Sequence, residues 1–294
     1  MQYNSVLAQD ALEGIWLDNR QLKILPNDII SYRNLKELSI SHNIISHLPK
    51  EIFSMSFLKN LNISSNVFEK ISSDLGKLKS LEVFNAENNN LSSVPESIKE
   101  LKLLEFLYLS NNNIKKFPLE IKHLNNLIYL DISYNKFSEI SDNLGELKNL
   151  VELNLANNKI RELPYFISNL INIKELYLRN NELINISESL GEMKSLRRLD
   201  LSSNNIRALP ERIGELKNLK ELNLRDNNLL YIPETIISLQ SLRALDLREN
   251  SISYIPSGIR NLMNLEKLDI RSNKNFIAPK WFDELRQRGC IVYS

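Results

Sequence analysis

Leu35-Lys-Glu-Leu38-Ser-Ile40-Ser-His-Asn43 returns as Leu58-Lys-Asn-Leu61-Asn-Ile63-Ser-Ser-Asn66. The pattern restarts every 23 residues, at Leu81, Leu104, Leu127, Leu150, Ile173, Leu196, Leu219, Leu242 and Leu265, without an insertion. Leu12 opens an earlier copy, which makes twelve full units. A chain built this way folds by stacking similar pieces, so its topology reduces to one unit and its neighbour. All nine prolines occupy position 15 of the unit, and Ser72, Ser141 and Ser187 stand there in the other three. Four of the seven glycines (Gly76, Gly145, Gly191, Gly214) share position 19. This regularity predicts one uninterrupted array over residues 12–287, a short lid over 1–11 through Val6 and Leu7, and a helix–strand cap over 279–294. The same register would place Ile291 and Tyr293 on the inward strand positions of a thirteenth half-unit.

Each position has a physical reading. Leu38-Ser39-Ile40 alternates as a strand does, with the apolar pair on one face. A strand this short holds only by pairing with its copies, which predicts a parallel sheet. Position 9 is asparagine in eleven units, from Asn43 to Asn273. The chain turns away from the sheet there and buries backbone polar groups, which a carboxamide serves as donor and acceptor together. A ladder of these side chains is expected, with Arg20 tolerated in the first unit. Proline at position 15 followed by apolar residues at spacing three predicts a short 3-10 or α turn, and serine there predicts an N-cap. Trp281, Phe282 and Leu285 have helical spacing and read as a plug over the last core layer.

The unit L-x-x-L-x-L-x-x-N-x-[LIF]-x-x-[LIVF]-P-x-x-[IL]-x-x-L resembles the leucine-rich repeat family, over about residues 12–294. Within it, the chain is most similar to the 23-residue intracellular class of bacterial, plant Ras-group-related and animal Ras-scaffold repeats. The resemblance implies an α/β fold: a right-handed leucine-rich-repeat solenoid with a concave parallel β-sheet and short 3-10 or α turns on the convex side. It also implies that the concave face binds a protein partner.

Positions 3, 5, 7 and 8 supply that face. Two patches emerge from them. The first is aromatic: Phe106, Tyr108, Tyr129 and Tyr134 beside Val83, with Tyr177 two units on. Strands about 4.8 Å apart should set Phe106 and Tyr129 side by side. A fully exposed Phe106 would gain nothing by folding, and aromatics are enriched at interface hot spots, so this patch is the expected centre of a partner site. The second is charged: Arg179, Arg225, Arg248 and Arg271 beside Asp200, Asp246 and Asp269. An arginine row can fork onto carboxylate or phosphate. Alternatively arginine and aspartate satisfy one another across strands, and their alternation favours that reading, leaving specificity at the rim as their role.

Composition narrows the function. With 37 Lys+Arg against 36 Asp+Glu, the net charge of +1 speaks against a nucleic-acid binder. One cysteine excludes a disulfide framework or a Cys-cluster zinc site. The histidines are His42, His47 and His123; His42 and His47 lack metal-ligand spacing and read as turn residues, and no phosphate-binding glycine motif occurs. Cys290 lies eight strands from His123, about 38 Å at ~4.8 Å per step, so it has no base within reach. No run of eighteen apolar residues and no basic-then-apolar leader are present. The expectation is therefore a monomeric, cytoplasmic, non-catalytic scaffold or adaptor in signalling, with no cofactor, no metal, no nucleic acid and no membrane. Two further readings stand beside it: a regulatory subunit of a phosphatase or small GTPase, and a secreted bacterial effector.

Overall fold

The computed structural model describes residues 12–294; the lid expected over residues 1–11 lies outside them. Contacts divide the chain into two compact units, the first ending at Phe137 and the second beginning at Ser138. In the first, β1 (Gly14–Trp16), β2 (Glu37–Ser39), β3 (Asn60–Asn62), β4 (Val83–Asn85), β5 (Phe106–Tyr108) and β6 (Tyr129–Asp131) pair in parallel, each residue with its equivalent 23 positions on. The second contains β7 (Glu152–Asn154), β8 (Glu162–Leu163), β9 (Glu175–Tyr177), β10 (Asn185–Ile186), β11 (Arg198–Asp200), β12 (Glu221–Asn223), β13 (Ala244–Asp246), β14 (Lys267–Asp269), α1 (Phe282–Gln287) and β15 (Ile291–Tyr293). There β7, β9 and β11 to β15 pair successively and in parallel. The two-residue strands β8 and β10 pair separately, on a flank for which the apolar pattern carried no strand signal.

The period explains the interior. The apolar residue at strand position 4, such as Leu107 or Leu222, is almost wholly buried, as are Leu104, Leu109, Ile114, Ile121 and Leu124 within one coil. Each such side chain contributes roughly 1.5–3 kcal/mol by leaving water. After Pro95 comes the 3-10 turn Glu96–Glu100, and its equivalents follow in both units. Where serine replaces proline it caps the turn: the hydroxyls of Ser72, Ser141 and Ser187 accept from the backbone N–H of Asp74, Asn143 and Ser189 at 3.1, 3.3 and 3.2 Å. Successive turns pack closely enough to explain the glycines. A Cβ on Gly191 or Gly214 would lie 2.5 or 2.3 Å from the carbonyl oxygen of Arg212 or Thr235 in the next turn.

The asparagine ladder is present in both units. Asn112 Oδ1 accepts from the Leu91 N–H at 2.9 Å, while its Nδ2 donates to the carbonyls of Ala86, Leu109 and Ser110. Asn227 repeats the set with Ile206, Leu201, Leu224 and Arg225. Asn43 closes the first coil, accepting from the N–H groups of both Arg20 and Leu22. The residue before each of these positions has a left-handed backbone, with φ from 50° at Asn111 to 60° at Ser272. Asparagine, aspartate and histidine, three of the types found there, tolerate that region better than most residues.

One register differs from expectation. Leu268 pairs with Val292, 24 residues away, so Ile291 and Tyr293 stand opposite Lys267 and Asp269 on the open face. They are 54% and 41% exposed rather than inward. A one-residue shift exchanges the two faces of a strand. Its cause is α1, which replaces the 3-10 turn: an α-helix rises ~1.5 Å per residue against ~2.0 Å, so the crossing needs more chain. Gly289 at φ +89° ends that helix. Phe282 and Leu285 are buried as expected of a plug, and Trp281 meets Phe282 edge-on with centroids 4.8 Å apart. No described helix is long and apolar enough to cross a membrane.

Candidate functional site

Alternation along β5 and β6 sends positions 3 and 5 to the open side of the first unit's sheet. Phe106 and Tyr129 are register partners, with centroids 6.4 Å apart and planes at 31°. Tyr129 also meets Tyr108 at 4.8 Å and 36°. Tyr129 is thus the middle of a three-ring cluster, each contact worth about 0.5–1.5 kcal/mol beyond area burial. The rings are half-buried. Phe106 is therefore not the fully exposed side chain of the sequence argument, because Tyr129 covers one side of it. Tyr134 occupies the left-handed turn position at φ 51°, is 58% exposed and stacks on no described ring.

The same face carries carboxylates held by neutral groups. Asp18 accepts from the Ser39 and Ser41 hydroxyls and the Ser41 N–H at 2.6–2.8 Å. Glu37 accepts from Asn60 Nδ2 at 3.3 Å. Glu87 accepts from Ser110 Oγ at 2.8 Å, and Asn85 Nδ2 lies 3.3 Å from its other oxygen.

Tyr177 lies in the second unit and belongs to a different arrangement. Its hydroxyl donates to Glu175 and accepts from Arg198 Nη1 at 3.1 Å. Arg198 pairs with Glu175 at 3.0 Å and with both oxygens of Glu221, at 2.8 and 3.0 Å. Burial, then the hydrogen bond to Glu175, push the Tyr177 phenol up to about 12. Glu175, Arg198 and Glu221 were not singled out from sequence, although all three occupy position 3 on adjacent strands.

The remaining arginines are mostly engaged. Arg248 Nη2 and Nε hold Asp246 at 2.5 and 3.0 Å, and Nε reaches Asp269 at 3.4 Å across the strand pair. Arg271 grips Asp269 at 2.7 and 2.9 Å and lies 4.5 Å from the Tyr293 ring centre. Burial pushes Asp269 up, but the Arg271 guanidinium outweighs it and the carboxyl titrates below its ordinary value. Arg225 pairs with Glu249 at 2.8 Å. Asp200 accepts instead from the N–H and hydroxyl of Ser202. Arg179 is exposed and in no ion pair among the described residues. Arginine and aspartate thus satisfy one another as the alternation suggested, but chiefly within a repeat, two residues apart.

No group of three His, Cys, Asp or Glu among the described residues is placed to hold a metal. His42 and His47 are exposed, and burial pushes the Cys290 thiol up, against its use as a nucleophile.

The family profile for a leucine-rich repeat region matches residues 74–176 and 184–287, and a second, for the leucine-rich repeat itself, matches 33–91 and 149–206. No curated protein matches the sequence. Among solved structures, a TDR receptor is 28% identical with a TM-score of 0.82, over 92% of this chain and 49% of that one. The chain therefore spans about half the length of that receptor. An internalin (inlF) of Listeria monocytogenes is 20% identical, with a TM-score of 0.79 over 98% of this chain and 88% of its own. The plant peptide hormone receptor RGFR1, solved with RGF2, is 28% identical, with a TM-score of 0.69 over 90% and 48%.

Proposed function

The chain belongs to the leucine-rich repeat family, whose folds generally mediate protein–protein interaction and are typically non-catalytic, and from that premise we propose that it is a scaffold or adaptor. It holds a protein partner against the open face of its first unit. The observation that carries this reading is the cluster of Phe106, Tyr108 and Tyr129, three rings gathered on a face that is otherwise mostly polar or acidic. Such a cluster offers a large apolar area already ordered before binding, which lowers the entropic cost of association. That RGFR1 was solved with RGF2 supports a polypeptide ligand for an array of this kind.

The test is affinity capture from the native cell's lysate, with wild type against a Phe106→Ser/Tyr129→Ser variant of unchanged circular dichroism. A protein retained by the first and lost by the second supports the site. Equal capture by both moves the partner to another surface.

A further inference from the structure

The first unit's open face is acidic without compensation. Positions 3, 5, 7 and 8 of its six repeats carry Asp18, Glu37, Glu87 and Asp131, and no lysine or arginine. The hydrogen bonds to Asp18, Glu37 and Glu87 come from serine, asparagine and backbone groups, all neutral. They fix the side chains and leave the charges. The two lysines that border the strands at position 2 are already paired, Lys36 with Glu13 at 2.5 Å and Lys59 with Glu82 at 2.6 Å. Glu87 bonds to Ser110, two residues beyond Tyr108, so a negative charge sits beside the aromatic cluster.

Resting on the reading above that a protein binds this face, we infer that the bound element is an extended segment bearing lysine or arginine. A guanidinium or ammonium can lie over Phe106, Tyr108 or Tyr129, since their faces are electron-rich. It can meanwhile meet Glu87 beside the rings, while a second basic residue of the segment, further along the face, meets Glu37, three strands from Phe106. An anionic ligand would face the carboxylates of Asp18, Glu37 and Glu87, held by neutral groups, which disfavours nucleic acid and acidic peptide alike. The second unit's face differs, because Arg198, Arg225, Arg248 and Arg271 already hold Glu175, Glu221, Glu249, Asp246 and Asp269.

The test uses the full chain and a phage-displayed library of random 16-residue peptides, selected at low salt. Enriched peptides are then measured against three variants. Glu37→Gln/Glu87→Gln removes charge and keeps the hydrogen-bonding shape. Phe106→Ala/Tyr129→Ala removes the rings. Glu51→Gln/Glu96→Gln removes equal charge from the 3-10 turns. The expected pool is rich in Lys and Arg. Neutralising Glu37 and Glu87 weakens it about 10-fold, as loss of two exposed ion pairs would, and binding falls further as salt rises. The turn variant changes nothing. A pool of neutral or acidic peptides lost only with the ring variant overturns the charge inference and leaves the aromatic site standing. A basic pool indifferent to the glutamines, or weakened equally by the turn variant, also overturns it. A pool indifferent to the ring variant, or no enrichment at all, overturns both readings.

Discussion

Each unit is built on the same kind of interior, and the two differ in their open faces. In the first, carboxylates are held by neutral donors around a cluster of three rings. In the second, Arg198, Arg225, Arg248 and Arg271 close onto Glu175, Glu221, Glu249, Asp246 and Asp269. Repeat folding separates two tasks that a compact domain mixes. Buried positions satisfy one stacking geometry, while positions 3, 5, 7 and 8 vary without disturbing it. A face that neutralises itself has little left to offer a charged partner; one that does not is prepared for it.

The largest effect should be the one common to both regions. Asn112→Ala and Asn227→Ala each delete one acceptor and a multiply shared donor from buried backbone. With roughly 1–3 kcal/mol for each group left unsatisfied, either variant should lose about 2–4 kcal/mol. Urea denaturation of the two proteins would measure it. Closely similar losses support one stacking geometry in both units; a large disparity breaks the comparison at its base.

Next comes binding. For the partner captured through the first unit, Phe106→Ala/Tyr129→Ala should cost about 2–3 kcal/mol, the range of an interface hot spot. Arg248→Ala/Arg271→Ala should change its affinity by less than threefold, on the order of the 0–1 kcal/mol of an exposed ion pair. Calorimetric titration of the three proteins decides it. Equal losses would mean that both faces bind.

How far these features could be read beforehand follows the same division. The repeat, the proline and serine turns and the asparagine ladder were legible because each is a local rule repeated, with Asn43 to Asn273 performing one task. The left-handed position 8 was visible in its Asn, Ser, Asp and His and went unread; Tyr134 and Glu249 show that neighbouring coils can impose the geometry on other types. The second unit's pairings were harder. From Asp246 and Arg248 alone, either could turn to its own repeat or to the next, and Arg248 does both. The final strand was misread because one additional residue, needed by α1, moves Tyr293 from the core to a place over Arg271. Periodicity predicts positions only while the period lasts.

Asp269 gives a smaller effect, confined to the second unit. Its side chain is fully enclosed and held by Arg271 and Arg248. Since its folded carboxyl titrates below its ordinary value, it contributes stability that is present above the unfolded pKa of about 4 and is lost as pH falls through the folded one. Asp269→Asn should therefore cost about 1–2 kcal/mol at pH 7 and flatten the loss of stability below about pH 4. Urea midpoints at pH 7 and pH 3 for variant and wild type would check the sign. A variant that keeps the wild-type acid slope shows that this carboxylate does not set it.

Tyr177 gives the smallest effect and the sharpest test of where the two faces divide. Sequence placed it with the aromatic patch; its hydroxyl lies between Glu175 and Arg198. A phenol raised to about 12 keeps its proton longer in the folded protein than in the unfolded chain. Its contribution to stability is whole below the unfolded pKa of about 10 and is lost as pH climbs towards the folded value. Tyr177→Phe should cost about 0.5–1.5 kcal/mol at pH 7, leave capture through Phe106 and Tyr129 unchanged, and remove one late-titrating phenol. The wild-type-minus-variant phenolate absorbance should then have its midpoint near 12. A midpoint near the ordinary tyrosine value of about 10 would release the hydroxyl from the ion-pair network. Tyr177 would then again be an aromatic side chain open to a partner, and the second unit's face would be less occupied with itself.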